Sequence, residues 1–130
     1  MLVYADTSAL VKLVLAEAET PALHDWLRTH EARLATSDLA RAELMRAVRR
    51  SNPRSAPDVR ELFERVAIIS LDASVYEEAG LIAPMELRTL DAIHLSAARL
   101  LGEQLDGMLC YDDRLSEAAE YAGIRVFSPR

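Results

Sequence analysis

The strongest constraint on this chain is a repeated alternation. Short apolar runs, "LVYA" (2–5), "RLAT" (33–36), "VAIISL" (66–71), "GMLCY" (107–111) and "IRVF" (124–127), read as strands. Between them lie stretches of helical periodicity near 7–16, 20–30, 38–50, 58–66, 73–83, 89–101 and 114–122. Continuously apolar strands belong in a sheet covered on both faces, and strand–helix–strand order makes that sheet parallel. Right-handed crossovers return each strand in the same direction. The expected fold is α/β: a single-domain α/β/α sandwich with a central parallel sheet, over residues 1–130. A chain of 130 residues buries about two-thirds of its unfolded surface, enough for a core on each side of a sheet. The one turn-rich stretch, "SNPRSAPD" (51–58), is short enough to be a loop between two helices.

Composition narrows the function classes. Apolar residues at 51% and charged ones at 28% describe a globular chain, not a disordered one. No apolar run approaches the ~18 residues of a membrane span. Asp6 and Lys12 interrupt the first apolar stretch, so no secretory leader is expected. The single cysteine, Cys110, has no internal disulfide partner, and a cytoplasmic location follows as the simple expectation. A net charge of −6 argues against a general polyanion coat. Yet Arg41, Arg46, Arg49, Arg50 and Arg54 all fall within "ARAELMRAVRRSNPR". Such a stripe is either a solvated helix face or a local grip on phosphate.

Four acids carry the chemical interest. Ligands of open parallel sheets bind beyond the carboxyl ends of the strands. Asp6 follows the first strand directly, and Asp112 follows the fourth in "MLCYDDRL". Glu43 lies one turn into the helix after the second strand, between the apolar arc Ala40, Leu44, Ala47 and the arginines Arg46 and Arg50. Asp91 opens a helix, "LRTLDAIHLSAARLL", that is apolar nearly all round, so its carboxylate needs a partner. Each acid has a local explanation. Asp6 and Asp112 suit N-caps at ~1 kcal/mol each. Asp91 suits a first helical turn capped by Thr89, and Glu43 suits an i,i+3 pair with Arg46. Capping alone does not require four acids to converge on one sheet edge. Two carboxylates at ~4 Å repel by about 4 kcal/mol at an effective dielectric near 20. A hard divalent cation with oxygen ligands, Mg²⁺ or Mn²⁺, is the natural offset. No His or Cys cluster has zinc spacing.

Four stretches, in order, carry a family resemblance: "YADTSALVKL" with Asp6, "TSDLARAELMRAVRR" with Glu43, "LRTLDAIHLSAA" with Asp91, and "MLCYDDRLSEAAEYAGIRVFSP" with Asp112. Together they make the sequence resemble the PIN-domain family and, within it, the VapC-type toxins of bacterial toxin–antitoxin pairs. The resemblance covers essentially the whole chain. It implies a Mg²⁺- or Mn²⁺-dependent endoribonuclease that dimerises and is inhibited by a VapB-type antitoxin. It implies Asp6, Glu43, Asp91 and Asp112 as the catalytic set. Asp6, Asp91 and Asp112 would hold the ion directly or through water, with Glu43 ligating or orienting the attacking water.

The remaining candidates are supporting ones. Thr7 and Ser8 suit either a hydrogen bond to a metal-held water or the start of a helix. Asp113 reads as a helix-start residue that could also hold a second ion through water. Family sequences often carry Thr or Ser two residues before the last aspartate, where this chain has Cys110. A thiol is a poor donor, so support of Asp112 is expected to be weaker or to come from Thr7 or Ser8. His94 reads as a satisfied core histidine, and Trp26 as packing. RNA phosphates would be held by Arg46, Arg49 and Arg50, which predicts salt-dependent binding. Two other readings stay open beside the toxin: a housekeeping RNA-processing nuclease and an inert PIN-like binding module. A receiver domain would want a lysine after the last strand, and the sole lysine is Lys12. An aspartate phosphatase would want a carboxylate two residues after Asp6, where Ser8 stands.

Overall fold

The computed structural model describes all 130 residues. Five strands form one sheet: β1 (Leu2–Ala5), β2 (Arg33–Ser37), β3 (Ala67–Ile69), β4 (Gly107–Leu109) and β5 (Val126–Phe127). Seven helices connect and cover them: α1 (Thr7–Val14), α2 (Thr20–Thr29), α3 (Leu39–Ser51), α4 (Ala56–Phe63), α5 (Ala73–Ala79), α6 (Thr89–Arg99) and α7 (Asp113–Tyr121). Every pairing is parallel, in the order β3-β2-β1-β4-β5. This is the α/β/α sandwich that the alternation of apolar runs and helices predicts.

The pleat sorts the strand residues into two cores. Val3, Ala5 and Leu109 point to one face and pack against α1–α4 through Leu10, Leu23, Leu44 and Val59. Tyr4, Met108 and Cys110 point to the other and pack against α5–α7 through Val75, Leu95 and Leu115. Because each strand feeds both cores, the runs read as continuously apolar. Gly107 is imposed by close approach: a Cβ there would lie 2.4 Å from the Phe127 ring and 2.7 Å from the Arg125 carbonyl. Trp26 stacks on His30 and leans on Phe127 with centroids 4.8 Å apart, so it does pack.

Element boundaries differ from the sequence reading in two informative places. The run at 66–71 forms only three residues of strand, with Leu71 packing against the second core outside the ladder. The helix expected over 73–83 stops at Ala79 and is capped by Gly80, four residues before Pro84. No helix is long and apolar enough to cross a membrane.

The strand order positions the site. From β1 the chain adds β2 and β3 on one side, then crosses to add β4 and β5 on the other. The reversal falls between β1 and β4, and at such a point the two adjacent connections leave in opposite directions and open a crevice. Asp6 ends β1 there, its backbone N–H donating to the Leu109 carbonyl of β4 at 3.3 Å.

Candidate active site

Asp6 and Asp112 are N-caps, and that is also what fixes them at the sheet edge. Asp6 has extended backbone, and its Oδ1 accepts from the Ala9 amide at 3.3 Å and from the Ser8 hydroxyl at 2.6 Å. Asp112 caps α7 by accepting from the Leu115 amide at 2.9 Å. Each cap uses one carboxylate oxygen and places the positive end of a helix dipole beside the anion. Capping and site roles are compatible here, since each carboxylate has a second oxygen.

Asp6 is 4% exposed. Burial pushes its carboxyl upward, while the Ser8 hydroxyl, the His94 ring, the Ala9 amide and the Cys110 thiol pull in the opposite direction. Asp91 is half-buried in the first turn of α6. Burial raises its carboxyl too, and here Asp112 and then Asp6 add to the shift, with His94 pulling the other way and Glu43 adding a weaker push. Carboxylates from three other stretches of chain therefore bear on Asp91 at this edge. The helix cap before Asp91 is Arg88, without a side-chain bond, so Thr89 does not serve as the expected cap.

Glu43 does not pair with Arg46. Its Oε1 accepts from the Thr7 hydroxyl at 2.9 Å and faces His94 Nε2 at 2.5 Å. Burial alone would raise its carboxyl, but the hydrogen bond and charge of His94 and the Thr7 hydroxyl hold it below the usual glutamate range. His94 is wholly buried and its other ring nitrogen meets the Tyr4 hydroxyl at 2.7 Å. It is a satisfied core histidine, as its sequence context predicts, and it is also bonded to the site. The i,i+3 spacing of "DAIH" was the available signal, since it puts Asp91 and His94 on neighbouring positions of one helix face.

Thr7 and Ser8 support different acids, Glu43 and Asp6, and neither reaches the Asp112 carboxylate. Ser8 Oγ also accepts from the Tyr111 amide at 2.8 Å, tying α1 to the segment after β4. Cys110 lies beneath Asp6, its Sγ 3.5 Å from Oδ2, and meets only the backbone oxygen of Asp112. Burial pushes its thiol up to about 12, so it stays a neutral thiol. Asp113 is exposed at the first position of α7. Arg46, Arg49 and Arg50 are exposed on α3 and, with Pro53, line a concavity of about 280 Å³. At 1.5 Å per residue, Arg46 lies about 4.5 Å and Arg50 about 10 Å along the helix axis from Glu43. Arg41 leaves the stripe to lie over the Phe63 ring.

The donor set is all carboxylate, which suits a hard divalent ion. No three His, Cys, Asp or Glu side chains form a constellation that could grip an ion between them as they stand. What fits is a hydrated ion of the Mg²⁺ type, held by one or two carboxylates and reached by the others through water.

The sequence model of the PIN domain family matches residues 3–121. The chain belongs to the PIN-domain family. Among relatives of this PIN domain is ribonuclease VapC46 of Mycobacterium tuberculosis, 41% identical over 98% of this chain and 97% of its own length. The crystal structure of Mycobacterium tuberculosis VapC20, a sarcin–ricin-loop-cleaving toxin, aligns with a TM-score of 0.78 at 18% identity, covering 99% of this chain and 100% of that one. VapBC2 of Rickettsia felis, solved on a DNA fragment of its promoter, aligns with a TM-score of 0.73 at 15% identity, and each chain is covered in full. The first relation places the PIN domain among VapC-type proteins; the two structural ones concern the fold.

Proposed function

We propose that this PIN domain is a divalent-metal-dependent endoribonuclease, the toxin of a VapBC-type pair. The observation that carries the reading is that Asp6 and Asp112 cap two helices at the topological switch point, beside an Asp91 whose carboxyl is raised by burial and then by the charges of Asp112 and Asp6. A protein tolerates such crowding when a cation belongs there. Asp6, Asp91 and Asp112 are proposed to hold Mg²⁺ or Mn²⁺. When bound, such an ion acidifies water and withdraws charge from a phosphoryl group. Glu43 would orient the attacking water and take its proton as the P–O bond to the leaving oxygen breaks, with that oxygen protonated from solvent. Arg46, Arg49 and Arg50 lie along α3 to hold flanking phosphates, with RNA selected by shape and loop exposure. The chain offers no Ser–His or Cys–His pair for a covalent route: Cys110 is held neutral, and His94 is committed to Tyr4 and Glu43.

The likeness to VapC proteins extends the proposal to a cytoplasmic homodimer restrained by a VapB-type antitoxin. The deciding experiment incubates purified protein with structured RNA and Mn²⁺, with and without chelator, beside Asp6→Asn. Asparagine caps a helix as well as aspartate, so the fold should survive. Chelator and substitution should each abolish cleavage. Full activity in a folded Asp6→Asn protein would refute the assignment.

A further inference from the structure

Glu43 is held from two directions, by α1 and by α6. Both bonds fall on the same atom. Thr7 donates to Oε1, and His94 Nε2 also faces Oε1. An ionised carboxylate offers only acceptors, so Nε2 carries the proton between them. The opposite ring nitrogen is taken by the Tyr4 hydroxyl at 2.7 Å, inside the core. Burial keeps that phenol protonated. Beyond it, the Ser37 hydroxyl at the end of β2 is wholly buried and makes no aligned hydrogen bond, though it is near enough to bear on the Tyr4 titration. The ring also meets Tyr4 edge-on, with centroids 5.8 Å apart and planes at 68°. A strand residue, a helix residue and a carboxylate on a third element thus form one chain from core to crevice.

We propose that His94, anchored by Tyr4, is a positioning residue that occupies Oε1 of Glu43 together with Thr7 and so presents Oε2 as the working oxygen. The consequence is geometric. A free glutamate side chain samples several rotamers and exposes either oxygen, whereas two donors on Oε1 leave one orientation. His94 itself is 1% exposed and does not touch RNA or the attacking water. Tyr4 acts one step further back, by fixing the plane and rotation of the ring. The inference rests on the nuclease reading for its kinetic readout and on the geometry alone for its spectroscopic one.

The kinetic test compares His94→Leu, His94→Gln and Tyr4→Phe, each alone and combined with Glu43→Gln, using kcat and KM for Mn²⁺-supported RNA cleavage. His94→Leu should lower kcat by about 10–100-fold with KM unchanged, the range usual for residues that orient a working group. His94→Gln, which retains an N–H donor, should recover part of the loss, and Tyr4→Phe should fall between. In the Glu43→Gln background His94→Leu should add nothing. An equal factor in both backgrounds would overturn the proposal. Should His94→Leu fail to fold, Tyr4→Phe carries the same comparison without a change of shape. If the wild-type protein cleaves no RNA, the nuclease reading fails by itself, and ¹⁵N spectra of the histidine rings still decide this one. A protected Nε2–H of His94 should shift in Glu43→Gln and lose protection in Tyr4→Phe. A freely exchanging ring that ignores Glu43→Gln would overturn it.

Discussion

Glu43 and Asp91 are both half-buried carboxylates on helices beside the same crevice, and their titrations are pushed in opposite directions. Burial raises both. At Glu43 it is outweighed by the His94 and Thr7 contacts. At Asp91 it is reinforced by Asp112 and Asp6, while the pull of His94 outweighs the small push from Glu43. One acid has two hydrogen-bond donors built into the fold; the other is held by burial and by the neighbouring carboxylates, which His94 opposes only in part. On the proposed nuclease reading, the difference separates two tasks. A group that aims a water is best fully bonded on one side, whereas groups that hold an ion are best left short of positive charge until it binds.

The comparison can be broken most forcefully by activity. Asp91→Asn removes charge from the uncompensated side, and RNA cleavage should fall at least about 100-fold with the secondary structure unchanged by circular dichroism. Retained cleavage would mean that Asp91 is only a helix-start residue. A smaller effect sharpens the other side. Glu43→Ala leaves the buried His94 N–H without its acceptor, and should cost about 1–3 kcal/mol in chemical unfolding. Glu43→Gln keeps an acceptor oxygen and should cost less, while Asp91→Ala should cost nearly nothing. Equal costs at the two positions would erase the distinction.

The smallest effect concerns pH. Asp91's folded value is raised above its usual 3.8, so folding favours the protonated form. Its contribution to stability is therefore present below the unfolded value and is lost as pH climbs through the folded one. At neutral pH the ionised group is slightly destabilising, and solvent screening of a half-exposed side chain keeps the effect small. Metal-free Asp91→Asn should accordingly melt slightly above wild type at pH 7, with the gap closing on acidification. A gap that widens toward acid would reverse the sign of the argument.

Much of this was legible in the sequence, for identifiable reasons. The five strands announce themselves because residues such as Val3 and Tyr4 must satisfy two cores at once. Asp6 and Asp112 were legible as edge residues because strand ends and helix caps coincide there. The short β3 was not, since its apolar run also serves packing beyond the ladder through Leu71. Nor was the link between His94 and Glu43. The two lie 51 residues apart, and a histidine among Ile93 and Leu95 reads as core whether or not its ring reaches a site. The division of roles between Thr7 and Ser8 was hidden for a similar reason. Adjacent residues at a helix start point about 100° apart, and only the tertiary arrangement says which acid each one meets.

Isothermal titration of the metal-free protein with Mn²⁺ and Mg²⁺ tests the central idea most directly. Saturable uptake is expected in wild type, retained in Glu43→Gln, and lost or greatly weakened in Asp6→Asn and Asp91→Asn. No uptake by the wild-type protein, or uptake indifferent to both aspartates, would contradict the account.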